Sequence, residues 1–167
     1  MKSDGNGAKK ALDSILKRFS EYYNVQTKNI KPPFCALAEF HSHSEQYFLT
    51  KAARIACMDA NEYVYFFCAP KLDEEKLLLI DGQAWRQGLE KVQPKSGHKC
   101  SDITLIALAQ NVSDGAKKLA TKLRHYKSHK FGLWGWSAYR ALVYETSSKT
   151  AVSNWRGRDL KKLASSL

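Results

Sequence analysis

Asn61 to Pro70 reads NEYVYFFCAP. Its last eight residues, Tyr63 to Pro70, are almost all apolar or aromatic, and the stretch holds no glycine. It closes on a proline, which cannot continue a hydrogen-bonded ladder. A run of this length and composition predicts a strand buried on both faces, with helices covering it.

The chain on either side supplies those helices. Upstream, Leu12, Ile15, Leu16, Phe19, Tyr22 and Tyr23 recur at steps of three and four, the spacing of an amphipathic helix, and Pro32-Pro33 forces an extended connection after it. Phe34 to His41 then reads as a strand. Ser42-His43-Ser44-Glu45 has the form of a capping box, and Tyr47, Phe48, Ala52, Ile55 and Ala56 mark one face of the helix it would open. Downstream, Leu72 to Leu89 is helical in period. Gly82 leaves open one helix or two, with Asp81 able to cap the second. Gln93 to Ser101 is a loop, and Asp102 to Ala109, DITLIALA, is a further buried strand. Either Asn111 or Ser113 can cap the helix traced by Ala116, Leu119, Ala120, Leu123 and Tyr126.

Strands alternating with helices are the signature of a sheet built on crossover connections. The tail departs from that rhythm. Lys130 to Glu145 reads as an aromatic strand, Thr146 to Lys149 as a polar turn, Thr150 to Trp155 as an antiparallel edge strand and Asp159 to Leu167 as a short helix. The expected fold is therefore a single α/β domain over residues 8–167, after a flexible polar leader at 1–7. Its sheet is expected to be mixed but mostly parallel, with about five strands and a C-terminal antiparallel edge.

A chain of 167 residues is long enough for one well-buried core without a structural metal or disulfide. The N-terminus has no apolar stretch with a small-residue cleavage site, and no apolar run approaches the roughly 20 residues of a spanning helix. The expectation is a soluble cytoplasmic protein with no membrane partner. Cys35, Cys57, Cys68 and Cys100 are never two to four residues apart, so they form no zinc knuckle, and the first three read as small hydrophobes in a reducing compartment.

Charge is the strongest global feature. Residues 1–109 carry 15 Lys or Arg against 13 Asp or Glu, whereas residues 110–167 carry 12 against 3. A face built from the second half would gather anions. Lys117, Lys118, Lys122, Arg124, Lys130, Arg140, Arg156 and Arg158 are the candidate phosphate contacts, with Trp134 and Trp136 as stacking platforms if exposed and as core if buried. The plainer reading of the charge is solubility.

A second constellation is Glu39, His41, His43 and Glu45, at a strand-to-helix junction of the kind where open α/β sheets bind ligands. Imidazole and carboxylate there could hold a divalent metal or activate water, although the spacing matches no HExxH signature and capping explains Glu45 equally well. His125 and His129, four apart, are weaker as a joint metal site, because the helix should end between them. Phosphate-loop, dinucleotide and serine-esterase motifs are absent.

The sequence thus points first to binding of nucleic acid or another polyanion, with no cofactor. The alternatives are a metal-assisted hydrolase or nuclease using Glu39, His41 and His43, and a protein-interaction domain forming homo-oligomers through the Thr150 to Trp155 edge.

Overall fold

The computed structural model describes residues 6–41, 60–95 and 100–167. In chain order the elements are α1 (Asn6–Phe19), β1 (Asn24–Gln26), β2 (Ala36–His41), β3 (Ala60–Leu72), α2 (Glu74–Lys91), β4 (Cys100–Val112), α3 (Asp114–Ala120), β5 (Tyr126–Ser128), β6 (Trp136–Glu145), β7 (Thr150–Ser153) and α4 (Lys161–Ala164). Single 3-10 turns precede β6 (Lys130–Gly132) and α4 (Trp155–Leu160).

One sheet runs in the order β1-β2-β3-β4-β6-β5, and β7 also pairs with β6. The quoted stretch lies inside it. β3 and β4 run parallel from Ala60 opposite Cys100 to Leu72 opposite Val112, and β6 is parallel to β4 along its whole length. Every other pairing is antiparallel. Among the described residues the sheet is therefore mixed rather than mostly parallel, and has seven strands rather than about five. The additional strands, β1 and β5, are three residues each, too short for any two-residue period to be read.

β3 also passes through Pro70 instead of ending there. β2 pairs no further along β3 than Phe66, so beyond that point β3 has no neighbour on that side to miss the proline's N–H.

Period-two alternation divides the core into two layers. Tyr63, Tyr65, Phe67, Ile103, Leu105, Tyr139 and Ala141 face α2 and α3, which contribute Leu77, Ile80, Ala84, Ala116 and Ala120. Val64, Phe66, Ile106, Leu108, Leu142 and Tyr144 face α1 through Ala8, Leu12, Ile15 and Phe19. Helix α2 is a single helix, capped by the Asp73 side chain on the Lys76 N–H at 2.9 Å. A side chain would fit at Gly82, whereas a Cβ at Gly88 would stand 2.6 Å from Ile103. Asp81 caps nothing and is buried on the helix's inner face.

Helix α3 is shorter than its apolar period, because the chain turns at Thr121 and re-enters the sheet as β5. Ser113 caps it, bonding the Ala116 N–H. At the other end of the chain, Asn154 caps the closing 3-10 turn, its side chain accepting from the Gly157 N–H. The capping box at 42–45 and the helix expected after it lie outside the described residues.

Candidate anion-binding groove

The outer edge of β6 is shared by two short strands. β5 pairs with Trp136 to Ala138, and β7 pairs with Leu142 to Glu145. On that outer side Tyr139 to Ala141 lie between them without a strand partner. Asn154 fills the gap with its side chain: its Oδ1 accepts from the Ala141 N–H at 3.0 Å, and its Nδ2 donates to the Tyr139 and Leu123 carbonyls at 3.1 and 3.0 Å. The same Oδ1 accepts from the Gly157 N–H at 2.9 Å. Only glycine fits at 157, since a Cβ there would stand 2.7 Å from the Ala141 carbonyl.

Outside this plug lies a groove of about 490 Å3, lined by Thr121 to Tyr126 on one side, Asn154 to Arg156 on the other, and Ala138 and Tyr139 between them. Lys122, Arg124 and Arg156 bring three cations to it. Lys122 and Arg124 have no carboxylate partner among the described residues, and Arg156 has a long contact of 3.3 Å to Asp102. No acidic residue occurs between Asp114 and Glu145, so the wall preceding β5 carries no counter-charge of its own. Tyr126 and Trp155, each 64% exposed, contribute one aromatic ring from each side. Arg158 approaches the Trp155 ring at 6.0 Å, and so adjoins the groove.

The other cations singled out from the sequence go elsewhere. Lys118 is exposed on α3, away from the groove lining. Lys117 is bonded at 2.7 Å to Glu145, a buried carboxylate that also accepts from the Val112 N–H and the Ser148 hydroxyl. Arg140 is on the opposite face of the sheet, bridging Glu62 at 2.9 Å and Asp159 at 2.6 Å. Glu62 also accepts from Tyr23 and Thr104. Burial and then the Glu62 charge push the Tyr23 phenol far above its ordinary range.

Lys130 sits over the Trp134 ring at 3.6 Å. It belongs to the β5–β6 hairpin tip, where Lys130 and Phe131 adopt φ of 45° and 54° and the Phe131 and Leu133 side chains are exposed. Trp134 and Trp136 are half-buried and do not line the groove.

Glu39 and His41 share a face of β2, with Nε2 of His41 3.3 Å from Glu39, which also holds Lys91 at 2.6 Å. The other His41 nitrogen meets Asn61 at 3.1 Å. His43 and Glu45 lie outside the described residues. Among the described residues no three His, Cys, Asp or Glu side chains gather as a metal site. His125 and His129 separate: His129 is buried against Ser137 at 2.8 Å, and His125 opens on the groove.

His125 also has a partner far from it in sequence. Its Nε2 is 2.7 Å from Oδ2 of Asp81, which is 5% exposed. Trp85 stacks on the ring at 5.2 Å and 16°, and Tyr139 meets it edge-on at 4.8 Å. Burial, and then the Asp81 charge, hold the Tyr139 phenol well above its usual value. Cys100, which the sequence reading left unassigned, is disulfide-bonded, while Cys35 and Cys68 are free and half-buried.

Tyr126 and Trp155 were legible as groove residues only through their setting, aromatics interleaved with cations in Arg124-His125-Tyr126-Lys127 and Trp155-Arg156-Gly157-Arg158. Asp81 carries no such local signal.

Fold and groove together define an α/β single-sheet domain with a cationic, aromatic cleft at a divided sheet edge. The chain belongs to the family described as Domain of unknown function (DUF8052), whose model matches residues 8–166. No curated protein and no solved structure matches it. Among the described residues no helix is long and apolar enough to cross a membrane.

Proposed function

We infer that the groove binds single-stranded nucleic acid. The observation that carries this reading is the meeting, in one cleft, of three cations with two largely exposed aromatic rings. Backbone phosphates are held by Lys and Arg without regard to sequence, and unstacked bases lie on aromatic faces. Lys122, Arg124 and Arg156 take the phosphates, and Tyr126 and Trp155 take the bases. A duplex presents no free base faces to those rings, so single strands bind more tightly.

The test is fluorescence anisotropy of labelled single- and double-stranded oligonucleotides over a salt series. Three phosphate contacts give a slope of about −2 in log K against log salt, or roughly a 20-fold loss between about 50 and 200 mM. Arg124→Ala should flatten the slope by about 0.7. Trp155→Ala should weaken single-strand binding by about 1–3 kcal/mol and leave the slope unchanged. Binding that is insensitive to salt, or equal in the Arg124 and Trp155 variants, refutes the assignment.

A further inference from the structure

We propose that this groove takes RNA in particular, and that His125, oriented by Asp81, removes the proton of a ribose 2′-hydroxyl and so cleaves the strand. The inference rests on the nucleic-acid reading of the groove and extends it from binding to chemistry.

The geometry is that of a positioned base. An ionised carboxylate only accepts hydrogen bonds, so the contact from Asp81 Oδ2 assigns the proton of neutral His125 to Nε2 and leaves the lone pair on Nδ1. No described residue bonds Nδ1. The plane of the ring is set by Trp85 stacked on one face and the Tyr139 ring edge-on. Asp81 is itself fixed, lying mid-helix in α2 on the buried face. His125 is 28% exposed, and it is the one side chain of the groove lining that combines a free lone pair with a buried orienting carboxylate.

Such a site is selective. Lys122, Arg124 and Arg156 are donors only and suit phosphate oxygens, whereas Nδ1 calls for a donor on the ligand. A ribose 2′-hydroxyl, adjacent to a phosphodiester, supplies that donor beside the anion. DNA has none at that position.

The step balances without a co-substrate. The 2′-oxygen attacks the neighbouring phosphorus as its proton passes to Nδ1, so the O2′–P bond forms and the P–O5′ bond breaks. The departing 5′-oxygen takes a proton from water, and the imidazolium returns its proton to the hydroxide left behind. The products are a 2′,3′-cyclic phosphate and a 5′-hydroxyl. The three cations stabilise the extra negative charge on the phosphorane.

The test uses a labelled single-stranded RNA and the DNA of the same sequence, at low salt, with the full chain and with His125→Ala, His125→Gln and Asp81→Asn. Binding is followed by anisotropy and cleavage by gel. The expected result is RNA cut to a cyclic phosphate, DNA bound but intact, and a rate about 10²–10⁴ lower in the His125 variants with binding changed little. Added imidazole should restore part of the rate in His125→Ala, which a merely structural histidine would not show. If His125→Ala does not fold, the larger His125→Gln side chain carries the comparison. RNA that is bound and left uncut overturns the catalytic inference while the binding reading stands. Cleavage that persists undiminished in the His125 variants overturns it equally. RNA that does not bind overturns the groove reading, and this inference with it.

Discussion

Replacing Asn154 with alanine should test the divided sheet edge most severely. The side chain makes four hydrogen bonds to main-chain groups, at 2.9 to 3.1 Å. They are not equal in consequence. Gly157 keeps a second contact from its N–H to the Asn154 carbonyl at 3.2 Å. The Ala141 N–H and the Tyr139 carbonyl belong to buried residues of β6 and lose their partner outright. A buried group left unsatisfied costs about 1–3 kcal/mol, so the substitution should remove roughly 2–6 kcal/mol. That is a large part of the roughly 5–15 kcal/mol by which a domain is stable. Urea unfolding followed by tryptophan fluorescence should show a lower midpoint at unchanged m-value. Asn154→Asp, which keeps the acceptor but turns a carboxylate oxygen toward two carbonyls, should be no better than alanine. A loss below about 1 kcal/mol in either variant would refute the view that this one amide replaces a missing stretch of strand.

Further outcomes follow from the charged and thiol groups. Burial raises the Glu145 pKa, but the bonds from Lys117, Ser148 and the Val112 N–H outweigh it, and the carboxyl sits below its usual range. A depressed carboxyl contributes stability at and above its unfolded pKa of about 4.3 and loses it in more acidic solution. Glu145→Gln should therefore be less stable than the parent near pH 7, with the gap narrowing in urea melts below about pH 4. Arg140→Met leaves Glu62 without its cation and should cost about 3–5 kcal/mol, while Arg140→Met with Glu62→Gln should recover part of it. Cys35 and Cys68 lie with their sulfurs 3.5 Å apart. A hydrogen bond with Cys68 lowers the Cys35 pKa, while Cys35 and burial raise that of Cys68. Mild oxidant should join the two, and mass spectrometry after thiol alkylation should find them protected together; independent alkylation of both would refute the pairing.

How far the sequence reveals this molecule depends on where each residue's partners lie. β3 and β4 are buried on both faces, so their apolar runs stand out, and α1 is legible because one face meets a single sheet layer. α3 misleads. Leu119, Leu123 and Tyr126 keep helical spacing, yet Leu123 packs beyond the helix end and Tyr126 is exposed on β5. Three of the eight cations named from the sequence meet in one groove, and composition alone could place them in the same half of the chain. Composition could not tell them from Arg140, whose partner Glu62 is 78 residues away, or find Asp81, 44 residues from His125. Those contacts exist only once strands and helices are in register.

The division of the β6 edge also bears on how copies of this chain behave when crowded. A sheet grows into aggregates by recruiting a strand along an uninterrupted run of free main-chain groups, and long flat edges are the templates. Here one border of the sheet is the three-residue β1, and the other is split between the three residues of β5 and the four of β7, with a side-chain amide bonded to the span between them. Among the described residues, an incoming strand finds no register along the β5–β7 border longer than one short segment. The interruption that opens the cleft also denies polymerisation a template along that border.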